Sequence, residues 1–263
     1  MKQAFEKLLK SITRKKYKFG LVLSGGGARG FAHLGVVQAL QEKDIYPDII
    51  SGVSAGAIAG AFLASGMTPV DIMRLMLDYK FFDYTSIHIP KTGLLSLDKL
   101  ENNLLSHLPF SEFEELKTPL FVGVSNLNTG EPGYINSGSL SQAIKASASI
   151  PVMFSPVEIN GNQYVDGGLL DNMPITPIKN LCKQIIGINI SPVEEIKKLN
   201  NLIEIAGRTF QLSVNANMNL SIKKLDVYIE PPELCDFDIL DVTSAQKLFD
   251  IGYNYTRSLD INV

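Results

Sequence analysis

The chain has 263 residues, 45% of them hydrophobic, which is enough for one large domain with a full core. It carries 24 lysine and arginine residues against 27 aspartate and glutamate residues, and the net charge of −3 argues against a nucleic-acid-binding protein. Two distant cysteines, Cys182 and Cys235, give no disulfide framework, and three histidines give little support for a zinc site.

The first 18 residues differ in charge from the rest of the chain. Residues 1–18 contain seven basic residues and one glutamate, and Phe5, Leu8, Leu9 and Ile12 recur at helical spacing. This pattern is typical of a basic helix that lies on an anionic membrane, although a solvated tail or a helix packed on the domain has it too. No apolar signal-peptide core follows, and no stretch has transmembrane length. We therefore expect a cytoplasmic protein with peripheral contact at the inner face of the membrane.

Strand and helix patterns alternate from residue 19 onwards. Short apolar runs predict strands over residues 19–23, 49–50, 119–124 and 134–135, a hairpin over 157–165, and strands over 184–190 and 227–229. Helical spacing predicts helices over residues 31–41, 55–64, 69–79, 96–107 and 139–147, and within 199–224 and 244–259. Thr68 and Pro69 are the expected N-cap and first residue of the third helix. The alternation predicts an α/β fold with a mainly parallel sheet, covered on both faces, in one domain of residues 19–263.

The segment Gly52-Val53-Ser54-Ala55-Gly56 fits the pattern G-x-S-x-G between a predicted strand and a predicted helix. A serine at such a sharp turn projects its hydroxyl above the edge of the sheet, and Gly52 and Gly56 leave room for neighbouring backbone. The amides at the start of the following helix favour the oxyanion that forms when Ser54 attacks a carbonyl carbon. A turn in which Ser54 only caps the helix is the alternative.

Three consecutive glycines, Gly25, Gly26 and Gly27, follow the first strand and precede Arg29 and Gly30. Their amides can converge on one point and bind an anion or an oxyanion, and Arg29 adds a positive charge beside them. A glycine-rich turn that serves only close packing is less favoured for three glycines and an arginine.

A dinucleotide-binding protein is a competing hypothesis for this loop. Gly25, Gly27 and Gly30 satisfy the pattern G-x-G-x-x-G between a strand and a helix. That fold also requires an acidic residue at the end of the second strand, whereas Asp48 stands at its beginning. The dinucleotide hypothesis is therefore the weaker one.

A serine nucleophile needs a base, and none of His33, His88 and His107 lies in a loop late in the chain, where a hydrolase histidine is expected. Asp166 ends a predicted hairpin strand and is followed by Gly167 and Gly168. Its carboxylate can act as a base if a dry site raises its pKa, although an ordinary Asp-Gly turn has the same sequence. Asp171 is better explained as a turn or capping residue.

The three motifs, in this order, resemble the patatin-like phospholipase family. The matching segments are residues 25–30, 52–56 and 166–168, and residues 146–154 also resemble the family's segment before its aspartate. The resemblance extends over residues 18–190. It implies a three-layer α/β/α sandwich and a serine hydrolase that cleaves fatty-acyl esters of phospholipids or lysophospholipids without a metal or other cofactor.

The resemblance also implies roles for particular residues. Ser54 is the nucleophile and Asp166 the general base, without a histidine. The oxyanion hole comes from Gly25, Gly26 and Gly27, with Arg29. The glycines that support the motifs are Gly30, Gly52, Gly56, Gly167 and Gly168. A patatin-like scaffold that binds lipid without hydrolysing it is the remaining alternative.

Overall fold

The computed structural model of the chain describes residues 15–78, 97, 105–193, 195, 198, 199, 202–239 and 242–261. These residues contain eight strands in one sheet: β1 (Tyr17–Leu23), β2 (Ile49–Val53), β3 (Leu120–Asn126), β4 (Pro132–Ile135), β5 (Val157–Ile159), β6 (Asn162–Asp166), β7 (Cys182–Ile188) and β8 (Val227–Ile229). The α-helices are α1 (Phe31–Gln41), α2 (Ala55–Ala64), α3 (Pro69–Asp78), α4 (Leu140–Ala148), α5 (Leu202–Ile222) and α6 (Ala245–Ser258).

The elements agree closely with those predicted from the sequence. The hydroxyl of Thr68 accepts a hydrogen bond from the Asp71 amide at 3.1 Å and so caps α3 as expected. Strand β1 starts at Tyr17, two residues before the start predicted from the sequence, and so includes the last two residues of the basic N-terminal segment. Residues 1–14 and most of the helix predicted over residues 96–107 lie outside the described residues.

Five parallel strands form the centre of the sheet in the order β3, β2, β1, β7, β8. Successive side chains of β1 enter two different cores, with Leu21 and Leu23 in the larger core and Val22 in a second core. Helices α1–α4 and α6 contribute to the larger core, whereas Met218 of α5 belongs to the second. Because helices cover both faces of a mainly parallel sheet, the predicted three-layer α/β/α fold is confirmed.

Strand β3 is paired along both edges, and this pairing positions the candidate site. Val122 pairs with β4 on one edge and with β2 on the other, whereas Val124 pairs with β4 and with Asp166 of β6. Strands β2 and β6 therefore lie end to end along the same edge of β3. β2 ends at Val53, which pairs one position before the β3 residue that Asp166 meets. The sheet thus brings Ser54 beside Asp166 from a distant part of the chain.

Helix α2 consists mostly of small residues and is buried along almost its whole length. A Cβ atom on Gly60 would lie 3.2 Å from side-chain atoms of Ile50 and Leu120, so the helix packs directly on β2 and β3. Within the described ranges, no single helix has the length and apolar composition to cross a membrane. Helix α2 and residues 69–77 meet that test only as a pair bent by 120°.

Candidate active site

Ser54 occupies the sharp turn between β2 and α2. Its backbone angles, φ 52° and ψ −122°, lie in a region that L residues rarely adopt and that costs on the order of 1–3 kcal/mol. A Cβ atom on Gly52 would overlap the carbonyl oxygen of Gly56, and one on Gly56 would overlap that of Leu23. The strained turn is therefore held by backbone packing that only glycine permits at these two positions.

The Ser54 side chain lies beside the Asp166 carboxylate, close enough to lower the pKa of that group, and both residues line the same cleft. Both side chains are buried, with Ser54 7% and Asp166 2% exposed. Burial raises the pKa of Asp166 from its ordinary value of 3.8 to about 7, although the Ser54 side chain and a hydrogen bond from the Gly168 amide lower it. At neutral pH this carboxylate is partly ionised, and it is far more basic than an exposed aspartate.

The backbone around Asp166 is fixed by two hydrogen bonds and by the packing of the two glycines that follow it. The Asp166 amide donates to the carbonyl oxygen of Ser149 at 2.9 Å, and the Ser125 hydroxyl donates to the carbonyl oxygen of Asp166 at 2.9 Å. A Cβ atom on Gly167 would overlap backbone atoms of β3, and one on Gly168 would lie 3.0 Å from Asp166 Oδ1. Both glycines are therefore needed for the turn that follows the carboxylate.

Ser147 on α4 links the nucleophile turn to β3, a role that the sequence motifs do not predict. Its hydroxyl accepts a hydrogen bond from the Ser54 amide at 2.8 Å and donates one to the carbonyl oxygen of Gly123 at 2.6 Å. Ser147 is fully buried. Because one hydroxyl satisfies two buried backbone groups, it stabilises the strained conformation at Ser54.

Ser147→Ala is expected to lower the free energy of unfolding by about 2–4 kcal/mol, because two buried backbone groups lose their partner. Chemical denaturation measures the loss. Ser149→Ala is the matched control, since the Ser149 hydroxyl makes one 2.8 Å bond to the carbonyl oxygen of Lys145 within the same helical segment. We expect its loss to be about 1 kcal/mol. Equal losses in the two variants would contradict a special role for Ser147.

The glycine loop lies against Ser54, but its three amides differ. The Gly25 amide, expected to be an oxyanion donor, donates to Oδ1 of Asn172 at 2.9 Å and so is already paired. Among the described residues, the amides of Gly26 and Gly27 have no hydrogen-bond acceptor, and both glycines line the cleft in front of Ser54. Gly26 and Gly27 therefore remain as the donors that the loop offers to a ligand.

Arg29 does not line this cleft, contrary to the expectation that its charge assists an oxyanion. Its side chain is 2% exposed and donates to three carbonyl oxygens, those of Phe237 at 2.8 Å, Pro192 at 3.2 Å and Cys235 at 3.4 Å. The guanidinium thus ties the glycine loop to the C-terminal part of the chain. Gly30 has a separate packing role, because a Cβ atom there would lie 3.0 Å from Cβ of Ala55.

Neither described histidine lies beside Ser54. His33 is buried with Nε2 2.8 Å from the carbonyl oxygen of Ser24, and burial lowers its pKa to about 4. His107 ends a short 3-10 helix and does not line the cleft, while His88 lies outside the described residues. Asp171 accepts a hydrogen bond from the Tyr134 hydroxyl at 2.5 Å, away from Ser54.

Asp48 bears on the dinucleotide hypothesis. Its carboxylate accepts hydrogen bonds from the amides of Lys18 at 2.9 Å and Phe19 at 2.8 Å. These contacts hold it beside the start of β1, at the opposite end of the strands from the glycine loop. The ribose partner that the hypothesis requires is therefore not supplied by Asp48.

A cleft of about 380 Å³, including its open mouth, lies where β1 and β2 end. Ser54, Asp166 and the three loop glycines line it. Its apolar walls are Ile150, Phe210, Val214 and Ile239, and its polar walls include Asn172, Ser191 and Gln211. Most of these walls come from the chain beyond residue 170, where no motif marks a functional residue.

Comparison with protein families identifies this arrangement. Residues 21–179, more than half of the chain, match the model of a family described as patatin-like phospholipase. The chain belongs to the patatin-like phospholipase family. The resemblance inferred from the three motifs is therefore confirmed.

Curated relatives of this patatin-like chain include two fungal proteins named lysophospholipase NTE1. That of Saccharomyces cerevisiae is 26% identical over 273 residues and that of Meyerozyma guilliermondii is 26% identical over 276 residues. The alignments cover 90% and 91% of this chain but 16% and 19% of the fungal proteins, so the chain spans less than a fifth of their length. An uncharacterized NTE family protein of Mycobacterium tuberculosis is 38% identical over 161 residues, covering 59% of this chain and 27% of that protein.

Solved structures with some similarity include VipD from Legionella pneumophila, with a TM-score of 0.48 and 17% identity over 89% of this chain and 67% of that chain. The complex of ExoU and SpcU from Pseudomonas aeruginosa gives a TM-score of 0.42 and 19% identity, covering 93% of this chain and 51% of that chain.

Proposed function

We propose that this chain hydrolyses fatty-acyl esters of lipids, with Ser54 as the nucleophile and Asp166 as the general base. The observation that carries the proposal is the position of the Ser54 side chain in one cleft with a buried carboxylate whose pKa is raised to about 7. Gly26 and Gly27, which line the same cleft, are the proposed oxyanion donors. The match to the patatin-like phospholipase family supports lipid ester hydrolysis as the reaction class.

In the first half of the reaction, Asp166 accepts the Ser54 hydroxyl proton while Oγ attacks the ester carbonyl carbon. The carbonyl oxygen becomes an oxyanion, which the amides of Gly26 and Gly27 and the positive end of α2 stabilise. The intermediate then collapses. The bond to the alcohol oxygen breaks, the alcohol takes the proton from Asp166, and Ser54 is left as an acyl ester.

In the second half, water takes the place of the alcohol. Asp166 removes a proton from the water as its oxygen attacks the acyl carbon, and the same two amides stabilise the second oxyanion. Collapse breaks the bond to Oγ, and the proton returns from Asp166 to Ser54. The products are a fatty acid and the free enzyme.

The walls of the cleft support a fatty-acyl substrate. Ile150, Phe210, Val214 and Ile239 present apolar surface beside Ser54, and burial of an acyl chain against such surface is favourable. The fungal relatives carry the name lysophospholipase, which favours a single-chain phospholipid. We therefore propose lysophospholipids as the preferred substrates.

Covalent labelling combined with a lipid assay tests this function. The protein is treated with a fluorophosphonate, digested and analysed by mass spectrometry, and fatty-acid release is measured from lysophosphatidylcholine and from phosphatidylcholine in detergent micelles. We expect the label on Ser54 and faster release from lysophosphatidylcholine. A protein that binds these lipids but takes no label and releases no fatty acid would instead be an inactive lipid-binding scaffold.

A further inference from the structure

Helix α5 uses polar side chains to attach to the rest of the domain. Asn215 Nδ2 donates to the carbonyl oxygen of Ser191 at 3.1 Å, and Asn217 Nδ2 donates to that of Gly168 at 2.9 Å. Oδ1 of Asn217 also accepts a hydrogen bond from the Asn172 amide at 3.0 Å. The inner side of this helix is therefore fixed to the loops that form the candidate active site.

The opposite side of α5 exposes large apolar side chains. Leu202 is 78% exposed, Ile205 46%, Leu212 48% and Leu220 71%. On an α-helix these four positions lie on one side and form a stripe about 27 Å long, which we name the outer α5 face. A surface helix normally turns its apolar stripe towards the core, so this orientation indicates a partner outside the described residues.

We propose that the outer α5 face docks on a lipid bilayer with anionic headgroups, an inference that rests on the proposed function for its lipid substrate. Charged residues at the C-terminal end of the helix favour this partner. Glu195 and Lys198 are both exposed ahead of α5, whereas Lys223 and Lys224 are exposed directly after it. Within α5 the sequence carries only Glu204 and Arg208 as charged residues. An apolar stripe that ends in two lysines matches the boundary between acyl chains and anionic headgroups.

The size of the outer α5 face is that of a functional patch. With the exposed fractions given above, its four apolar side chains offer on the order of 500 Å², and an exposed apolar patch of this size is often functional. Binding to a bilayer grows stronger with the apolar surface that enters it, so these four side chains are expected to contribute to docking. A second copy of the chain is the alternative occupant, and the test below distinguishes it from a bilayer.

The outer α5 face lies behind a wall of the cleft. Phe210 and Val214 line the cleft, and Leu212, two residues from each, lies about 160° around the helix from them. Docking through Leu212 and its neighbours therefore brings the helix that walls the cleft to the bilayer surface. This position gives a lipid in the bilayer a short route to Ser54.

Vesicle binding by the full chain tests this inference. Vesicles of ether-linked phosphatidylcholine, with and without ether-linked phosphatidylglycerol, resist ester hydrolysis and so report binding alone. The double variant Leu212→Gln/Leu220→Gln is expected to bind both about tenfold more weakly or worse. Lys223→Gln/Lys224→Gln is expected to lower the preference for the anionic vesicles about fivefold. The matched control is Leu127→Gln, at an apolar residue that is 47% exposed in the loop after β3.

A water-soluble short-chain ester separates docking from folding and catalysis. The Leu212→Gln/Leu220→Gln variant should hydrolyse this ester at the wild-type rate. If the double variant loses this activity, vesicle binding is measured with Leu220→Gln alone, because Leu220 is 71% exposed and its substitution should not disturb the fold. Unchanged vesicle binding in the leucine variants would overturn the inference. A wild-type protein that is a dimer in solution, and that the leucine substitutions convert to a monomer, would overturn it too, because the outer α5 face would then bind a second copy. A wild-type protein that binds vesicles but hydrolyses no ester would overturn the proposed function and leave docking intact.

Discussion

Ser54→Ala is expected to lower kcat/KM for ester hydrolysis by about 10⁴-fold or more, because the acyl-enzyme cannot form without the hydroxyl. The rates are measured with lysophosphatidylcholine and with a water-soluble ester. Alanine keeps the Cβ atom and the backbone conformation of the turn, so the variant should fold. Retention of more than about one hundredth of the wild-type activity would exclude Ser54 as the nucleophile.

Ser51→Ala is the matched control for this loss. Ser51 lies in β2 three residues before the nucleophile, and its side chain is fully buried. Among the described residues, its hydroxyl has no hydrogen-bond partner. Removing this hydroxyl should leave the activity close to that of the wild type. Such a result would show that the loss in Ser54→Ala comes from the missing nucleophile and not from any substitution near the end of β2.

Asp166→Asn is expected to lower kcat/KM by about 10⁴-fold, since asparagine cannot accept the Ser54 proton. The amide has nearly the shape of the carboxylate, and its oxygen can still accept the 2.8 Å hydrogen bond from Gly168. Asp171→Asn provides a control at the half-buried carboxylate bonded to Tyr134, and it should keep most of the activity. If both variants lost activity equally, Asp166 would have no special part in proton transfer.

The pH dependence of the wild-type enzyme follows from the same carboxylate. With the Asp166 pKa raised to about 7, the base is protonated in acid, so kcat/KM should rise about tenfold per pH unit and level off above pH 7. The residual activity of Asp166→Asn should show no such inflection. A wild-type profile that is already flat at pH 5 would contradict a raised pKa in the free enzyme.

Stability should change with pH in the opposite direction to activity. Between about pH 4 and pH 7 the folded protein keeps a proton on Asp166 that the unfolded chain has released, so this group's contribution to stability is lost as pH rises. The free energy of unfolding of the wild type should therefore fall relative to that of Asp166→Asn across this range. His33, whose pKa burial lowers to about 4, acts in the opposite direction but contributes equally to both proteins.

The sequence predicted the parts of the fold that depend on local pattern. Apolar runs and helical spacing located β2, α2 and the β5–β6 hairpin, because each signal lies within a few residues of the element that it specifies. Ser54 and Asp166 were identified in the same way, as short motifs at the ends of two strands. Ser54 and Asp166 lie side by side because β2 and β6 pair with successive parts of the same edge of β3. No local sequence pattern encodes such a pairing.

The proposed oxyanion hole shows why long-range contacts limit prediction from sequence. The motif suggested that Gly25 and Arg29 act on the ligand. The Gly25 amide instead donates to the side chain of Asn172, and the Arg29 guanidinium donates to carbonyl oxygens beyond residue 190. Ser147 lies in the segment that resembles the family, yet its bonds to Ser54 and to β3 join three separate elements. Phe210, Gln211 and Val214 of α5 line the cleft, although no sequence motif marks them.

The anchoring of Arg29 has a consequence for the smallest piece of this protein that can work. A fragment ending at residue 179, where the family match stops, would retain both reactive side chains. It would also lose the three carbonyl oxygens that hold the Arg29 guanidinium, and strand β7, which pairs with β1 directly before the glycine loop. The final third of the chain is therefore needed to hold the glycine loop in its conformation, and a working protein must include it.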